Sequence, residues 1–177
     1  GEQYDSLADM VTSGVVPGFV MFKMVSNCVN SDPSLIYLPY FGFIITLGSC
    51  YRLANFNIDT RQTDSFIGLP TPANAIFILT LPLILKNSDS IILLEMLTNY
   101  WILLMISIVS AYILNAEIPL FALKIKKFNL KDNALQLFFL LISLLLLVFL
   151  KFEGVALVIF FYVILSVIMN LITGKKA

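Results

Sequence analysis

The sequence predicts an all-α membrane protein, a polytopic transmembrane helix bundle of about six spans, from its composition and from the lengths of its apolar stretches. The chain has 177 residues, of which 59% are hydrophobic and 12% are charged, and its mean hydropathy is +0.94. In soluble domains roughly a quarter of the residues are charged, so this composition excludes an ordinary aqueous domain. Basic and acidic residues number 11 each, and nothing in this balance indicates nucleic-acid binding.

Each apolar stretch is close to the roughly 20 residues that about 30 Å of hydrocarbon requires. The predicted spans are residues 4–26, 35–54, 71–87, 90–114, 133–150 and 154–173. The runs are continuously apolar, which excludes the in-and-out alternation of a membrane β-barrel. No repeat, linker or shift in composition marks a boundary inside the chain. We therefore expect residues 1–177 to form a single integral membrane domain.

The distribution of positive charge predicts the orientation of these spans. If the chain starts on the cytoplasmic side, eight Lys and Arg residues lie on that side and three lie on the other. The cytoplasmic set is Arg52, Arg61, Lys124, Lys126, Lys127, Lys131, Lys175 and Lys176, and the opposite set is Lys23, Lys86 and Lys151. Cytoplasmic loops carry an excess of basic residues, so we expect a multi-pass protein whose first residues face the cytoplasm.

Two acids, Asp5 and Asp9, enter the first predicted span. On a helix they share one face and lie about 6 Å apart along the axis. An acid inside a span costs roughly 2.5 to 3.5 kcal/mol, so the pair requires a compensating partner such as a divalent cation. Acids also favour a helix N-terminus through the helix dipole, and an ion transporter or channel would likewise place acids in a span. A membrane scaffold without chemistry is a further alternative.

The residue types in the chain restrict its chemistry. Histidine is absent, which excludes imidazole catalysis and histidine-ligated zinc or iron. The two cysteines, Cys28 and Cys50, lack the paired spacing of a metal site. Acid–base chemistry must therefore rest on carboxylates, Lys, Tyr or Cys.

Three stretches of the sequence carry a family resemblance. Gly1, Asp5 and Asp9 have the spacing Gly-x3-Asp-x3-Asp, and residues 5–9 read Asp-Ser-Leu-Ala-Asp. Residues 51–57 read Tyr-Arg-Leu-Ala-Asn-Phe-Asn, and residues 66–73 read Phe-Ile-Gly-Leu-Pro-Thr-Pro-Ala. Together these segments resemble the CDP-alcohol phosphatidyltransferases, and among them the branch of bacterial phosphatidylserine synthases. Beyond position 73 only the pattern of spans is similar.

The resemblance implies a metal-dependent phosphotransferase of the bacterial inner membrane with its active site facing the cytoplasm. It implies that CDP-diacylglycerol and L-serine react to give phosphatidylserine and CMP, in a homodimer embedded in the lipid bilayer. Mg²⁺ or Mn²⁺ at a two-metal site would neutralise the pyrophosphate, since these ions prefer oxygen ligands. Another alcohol acceptor, of the glycerol 3-phosphate, inositol or choline type, is an alternative with the same chemistry.

The resemblance also assigns roles to individual residues. Asp5 would be a metal ligand, Asp9 would be a metal ligand and the catalytic base, and Gly1 would leave room for the nucleotide. The expected nucleotide- or substrate-binding residues are Gly1, Arg52, Asn55 and Arg61. Snorkelling of the Arg52 side chain to the membrane surface is an equally good interpretation of that residue.

The sequence departs from the family pattern in three places. The first half of the family signature, Asp-x2-Asp-Gly-x2-Ala-Arg, would precede Gly1, so we expect the chain to be truncated at its N-terminus and inactive alone. Asn55 stands where the family often has Arg, and Val15 stands where Phe is usual.

Overall fold

The computed structural model describes residues 1–29, 33–58, 66–120 and 133–173 and confirms the predicted all-α class. Its helical elements are α1 (Glu2–Asp9), a π-helical turn (Met10–Val15), α2 (Val16–Val29), α3 (Ile44–Ile58), α4 (Thr71–Asn87), α5 (Ile91–Thr98), α6 (Tyr100–Asn115) and α7 (Ala134–Thr173). Two short 3-10 segments, Pro33–Leu35 and Leu38–Phe43, precede α3. The two-residue strands β1 (Phe66–Ile67) and β2 (Pro119–Leu120) pair antiparallel.

The π-helical turn joins α1 to α2 without a break in the helical path. Pro17 has no N–H, so the carbonyl of Ser13 has no donor four residues further along the helix. The Ser49 hydroxyl of α3 lies 3.5 Å from that carbonyl and donates to it, and the Thr46 hydroxyl donates to the carbonyl of Gly14 at 2.9 Å. Side chains of α3 therefore satisfy backbone carbonyls that a π turn leaves weakly bonded.

Helix backbones approach each other closely at two glycines of the bundle. A Cβ added to Gly42 would lie 2.6 Å from the backbone nitrogen of Phe22, and one added to Gly48 would lie 3.0 Å from the Cα of Ala111. Small residues at such contacts are the usual device of helix packing in membranes. The fully buried apolar side chains of this core include Met21, Val25, Ile45, Ile78 and Leu103.

Helix α7 is an antiparallel hairpin, because its backbone reverses at Lys151. Lys151 has φ 49° and ψ −114°, and the rings of Phe139 and Phe161 stack with centroids 5.9 Å apart. In a straight helix these two residues would be about 33 Å apart. The first arm (134–150) and the second arm (152–173) correspond to the fifth and sixth predicted spans.

The fourth predicted span, residues 90–114, consists of two helices joined at a sharp bend. Helices α5 and α6 are bent by 78° relative to each other at Asn99. The backbone of Asn99 is extended, with φ −90° and ψ 114°, and its side chain accepts a hydrogen bond of 2.9 Å from the Trp101 N–H. Asn99 thus caps a new helix, which its position inside an apolar run did not reveal.

The membrane character of the chain rests on its long apolar helices. Within the described residues, two helical segments are long and apolar enough to cross a membrane, Gln3–Val29 and Leu135–Ile172, and the bent α5–α6 pair is a third if it counts as one span. The reversal at Lys151 divides the second segment into two arms. The predicted count of six spans stays a prediction.

Hydrogen bonds between elements define two ends of the bundle. The Asp end contains Asp5 and Asp9, and its bonds join Ser6 to Asn57, Arg52 to Ile67 and Leu114, and Asn170 to Pro119. The Lys end contains Lys86 and Lys151, and there the Ser88 hydroxyl donates to the carboxylate of Glu153. The alternation of helices predicts this separation of Asp5 and Asp9 from Lys86 and Lys151. Which end faces the cytoplasm stays a prediction.

Candidate active site

The carboxylates of Asp5 and Asp9 lie on the open face of α1. Asp5 is exposed and Asp9 is half-buried, one turn further along the helix. In the part of the chain that the structure describes, no hydrogen bond or ion pair engages either carboxylate. A Cβ added to Gly1, at the start of the same helix, would meet no atom within 4 Å. Within the described residues, the Asp end therefore presents two carboxylates that have no hydrogen-bond or ion-pair partner.

This pair suits a divalent cation in the type of its donors. Mg²⁺ and Mn²⁺ prefer oxygen ligands, and both side chains offer carboxylate oxygens from one helix face. Among residues 1–29, 33–58, 66–120 and 133–173, no three His, Cys, Asp or Glu side chains come together. Asp5 and Asp9 would thus supply part of a metal's coordination shell, and further ligands would have to come from elsewhere.

A side-chain hydrogen bond fixes α1 against α3 beside the acids. The Ser6 hydroxyl donates to the Asn57 Oδ1 over 2.9 Å. Ser6 directly follows Asp5, so this bond restrains how far α1 can rotate about its axis. Asn55 is exposed near the same end of α3 and so lies at the Asp end, and its contact with a substrate stays a prediction. Arg61, the other predicted binding residue after α3, lies outside the described residues.

Arg52 is buried at the Asp end and contacts the protein backbone. Only 7% of the residue is exposed, and its Nη1 donates to the carbonyls of Ile67 over 2.6 Å and Leu114 over 2.8 Å. These bonds hold β1 against the end of α6. Gly68, with φ 74°, lets the chain pass close to this guanidinium, because an added Cβ would lie 2.8 Å from Nη1. Contact of Arg52 with a substrate stays a prediction.

The sequence did not predict the π-helical turn that follows Asp9. Such turns are frequent at functional sites because they redirect the side chains around them. Its components were nonetheless visible: Gly14 and Pro17 weaken the regular α-helical bonding, and α3 carries hydroxyl groups at Thr46 and Ser49. Only the pairing of the two helices shows that these residues work together.

Similarity to characterised proteins is partial and points to one activity. The chain is 34% identical over 76 residues to the CDP-diacylglycerol–serine O-phosphatidyltransferase of Bacillus subtilis strain 168, which covers 41% of this chain and 38% of the relative. The proteins of the same name from Helicobacter pylori strains J99 and 26695 are 36% and 35% identical over 80 residues, covering 44% of this chain and 32% of each relative.

These matches span between 32% and 38% of the length of the relatives, so they compare only a part of each protein. No family model matches the chain, and no solved structure is significantly similar to it. The chain therefore has a partial match to the CDP-diacylglycerol–serine O-phosphatidyltransferases.

Proposed function

We propose that the protein transfers the phosphatidyl group of CDP-diacylglycerol to the hydroxyl of L-serine, giving phosphatidylserine and CMP at the cytoplasmic face of a bacterial cell membrane. The observation that carries this proposal is the pair of carboxylates, Asp5 and Asp9, which lie at one end of an apolar helix bundle and have no partner among the described residues. The names of the three partial relatives support the same reaction. A lipid substrate and a water-soluble acceptor meet at a membrane surface, and the exposed Asp end suits that meeting.

Asp5 and Asp9 would hold the divalent cations, Mg²⁺ or Mn²⁺. When bound, these ions neutralise the charge of the pyrophosphate and favour in-line displacement at phosphorus. The Asp9 carboxylate accepts the proton of the serine hydroxyl. The hydroxyl oxygen forms a bond to the phosphorus that carries diacylglycerol. The bond from that phosphorus to the bridging oxygen of CMP breaks, and CMP leaves with its electron pair.

The other residues of the Asp end would position the substrates. The Ser6–Asn57 bond keeps the carboxylate face of α1 in one orientation. Gly1 has no side chain and would leave room beside the acids for the nucleotide, and Asn55 offers an exposed amide. Arg52 uses Nη1 for two carbonyls, so a contact with phosphate or with the serine carboxylate would use its remaining N–H groups. Arg61 completes the proposed set.

The position of the acids favours surface chemistry over ion transport. A transport site in a bundle is enclosed by helices near the middle of the membrane. Asp5 is exposed in the first helix, close to its beginning. The homodimer remains a prediction from the family resemblance.

The test uses the natural full-length protein in liposomes that contain CDP-diacylglycerol and Mn²⁺. Serine, glycerol 3-phosphate and inositol are supplied in separate reactions, and CMP release and lipid products are measured. We expect serine-dependent CMP release that stops when a chelator removes the metal. Equal release without serine, or faster release with another alcohol, contradicts the proposed acceptor.

The codons upstream of Gly1 offer an independent test of the family assignment. We expect them to encode Asp-x2-Asp-Gly-x2-Ala-Arg at the family interval, which would add the carboxylates that a two-metal site requires. An upstream sequence without these acids removes the catalytic interpretation of Asp5 and Asp9.

A further inference from the structure

A cavity of about 390 Å³ lies between α4, α6 and the second arm of α7. This volume is within the usual range of small-molecule sites, roughly 300 to 1,000 Å³. Its lining is apolar except at one place, where Asn74 of α4 faces Ser110 of α6. Trp101 lies at the other end of the lining on α6, about 14 Å from Ser110 along the helix axis. The cavity is therefore a long apolar groove with a polar group near one end.

The polar group in this groove is incompletely bonded. The Ser110 hydroxyl donates to the Asn74 Oδ1, but the Asn74 Nδ2 has no partner among the described residues. Asn74 is only 1% exposed, so its amide is removed from bulk solvent. A buried donor without a partner is unfavourable, because it has lost its hydrogen bond to water and gained none in return. An occupant that carries a hydrogen-bond acceptor would remove that cost.

The polar group lies near the Asp end. Asn74 is one turn from the start of α4, which follows Gly68 and the Arg52 contact. Ser110 is likewise close to the end of α6. Helix α4 also packs against the π-helical turn that follows Asp9. The groove thus begins just below the candidate active site and runs toward the Lys end.

We propose that this groove holds one acyl chain of the phosphatidyl donor, with the Asn74 Nδ2 donating to its ester carbonyl. This inference rests on the proposed function and names the site of the lipid part of its substrate. An ester carbonyl is an acceptor attached to a long apolar chain, and it lies just inside the head group. That arrangement matches an amide donor near the Asp end followed by about 14 Å of apolar lining.

Two other occupants fit the groove less well. Water would satisfy Nδ2, but one polar pair in an apolar lining offers it too few partners. A hydrocarbon without an acceptor would fill the apolar part and leave the buried donor unpaired. Both occupants are distinguished from an ester lipid by the experiment below.

The experiment is photo-crosslinking of the full-length protein in bilayers. CDP-diacylglycerol carries a diazirine in one acyl chain, and mass spectrometry locates the adducts. The same probe is made with ether-linked chains, which lack the carbonyl, and phosphatidylcholine with the diazirine chain reports contact with bulk lipid. We expect saturable adducts on groove residues such as Val109 and Phe160. Half-saturation should require about 2- to 10-fold more ether probe than ester probe, because the ether probe cannot accept the hydrogen bond from Asn74.

Variants distinguish the contribution of the Asn74 hydrogen bond from that of the space in the groove. Asn74→Leu should abolish the preference for ester over ether in the half-saturation ratio. Val109→Phe narrows the groove and should suppress its adducts. Ile108→Phe adds the same ring to an exposed neighbour on α6 that does not line the groove, and should leave labelling unchanged.

The ester-to-ether ratio is measured on the wild-type protein, so this test does not depend on whether Asn74→Leu folds. Equal half-saturation by both probes overturns the role of Asn74. Labelling by phosphatidylcholine at the same half-saturation overturns the assignment to the phosphatidyl donor. Labelling needs no turnover: ester-dependent adducts without serine-dependent CMP release would support the groove and reject the proposed acceptor. Turnover without saturable adducts would support the proposed acceptor and reject the groove as the acyl-chain site.

Discussion

Replacing Arg52 with Met tests what this buried guanidinium does. The side chain donates from Nη1 to the carbonyls of Ile67 and Leu114, which join β1 to the end of α6. Met has a similar length and an apolar end, so it fills the space without donating. Each carbonyl left unbonded costs about 1 to 3 kcal/mol, or about 2 to 6 kcal/mol for the two. The loss of a buried charge returns part of this cost, because the guanidinium no longer has to be desolvated.

We therefore expect Arg52→Met to lower the free energy of unfolding by about 1 to 4 kcal/mol. This is the cost of the two unbonded carbonyls minus the desolvation energy that the guanidinium no longer requires. Titration of the detergent-solubilised protein with sodium dodecyl sulfate measures this change. Lys86→Met is the matched control, because it also replaces a cation with Met but at an exposed position near the end of α4. It should cost at most about 1 kcal/mol, from its interaction with the helix dipole.

The same variants separate a structural role from a substrate role. If Arg52 only binds substrate, Arg52→Met will be as stable as Lys86→Met while its KM for CDP-diacylglycerol rises. That result would refute the conclusion that its two carbonyl bonds stabilise the fold. A loss of stability with a proportionate loss of active protein, but an unchanged KM, would instead remove Arg52 from the proposed binding set.

Three further predictions address the acids, the helix packing and the hairpin. Asp9→Asn should reduce phosphatidyl transfer by at least about 100-fold, since it removes the proposed base, without lowering expression, and wild-type turnover would remove that role. Gly42→Ala should destabilise the protein by about 1 to 3 kcal/mol because its Cβ meets the Phe22 backbone, and an unchanged free energy of unfolding would contradict this packing. Lys151→Gly should stabilise the protein by about 0.5 to 1 kcal/mol because Gly tolerates a positive φ, measured by the same titration. If α7 were one continuous helix, the Gly would cost about 1 kcal/mol, so the sign of the change decides.

Hydropathy was sufficient to predict most of the helical framework. Apolar runs bounded by polar breaks gave the helical class and the two arms of α7, because length and composition control whether a segment suits a membrane. The same criterion missed the bend at Asn99. One polar residue hardly changes the hydropathy of a long window, yet its side chain caps a new helix.

The candidate site was predictable only in part. The spacing of Asp5 and Asp9 placed both acids on one helix face, which is a local property of sequence. The Ser6–Asn57 bond and the Arg52 contacts join positions far apart in the chain. No local pattern distinguishes a guanidinium that binds phosphate from one that binds backbone carbonyls. The burial that distinguishes them depends on how the helices pack.

The most direct test of the proposed function is CMP release from CDP-diacylglycerol by the full-length protein and its Asp9→Asn variant, with serine present or absent. The proposal predicts Mn²⁺- and serine-dependent CMP release, with phosphatidylserine formed in equal amount, by the wild type alone. Serine-independent release, or equal release by the Asp9→Asn variant, would contradict it.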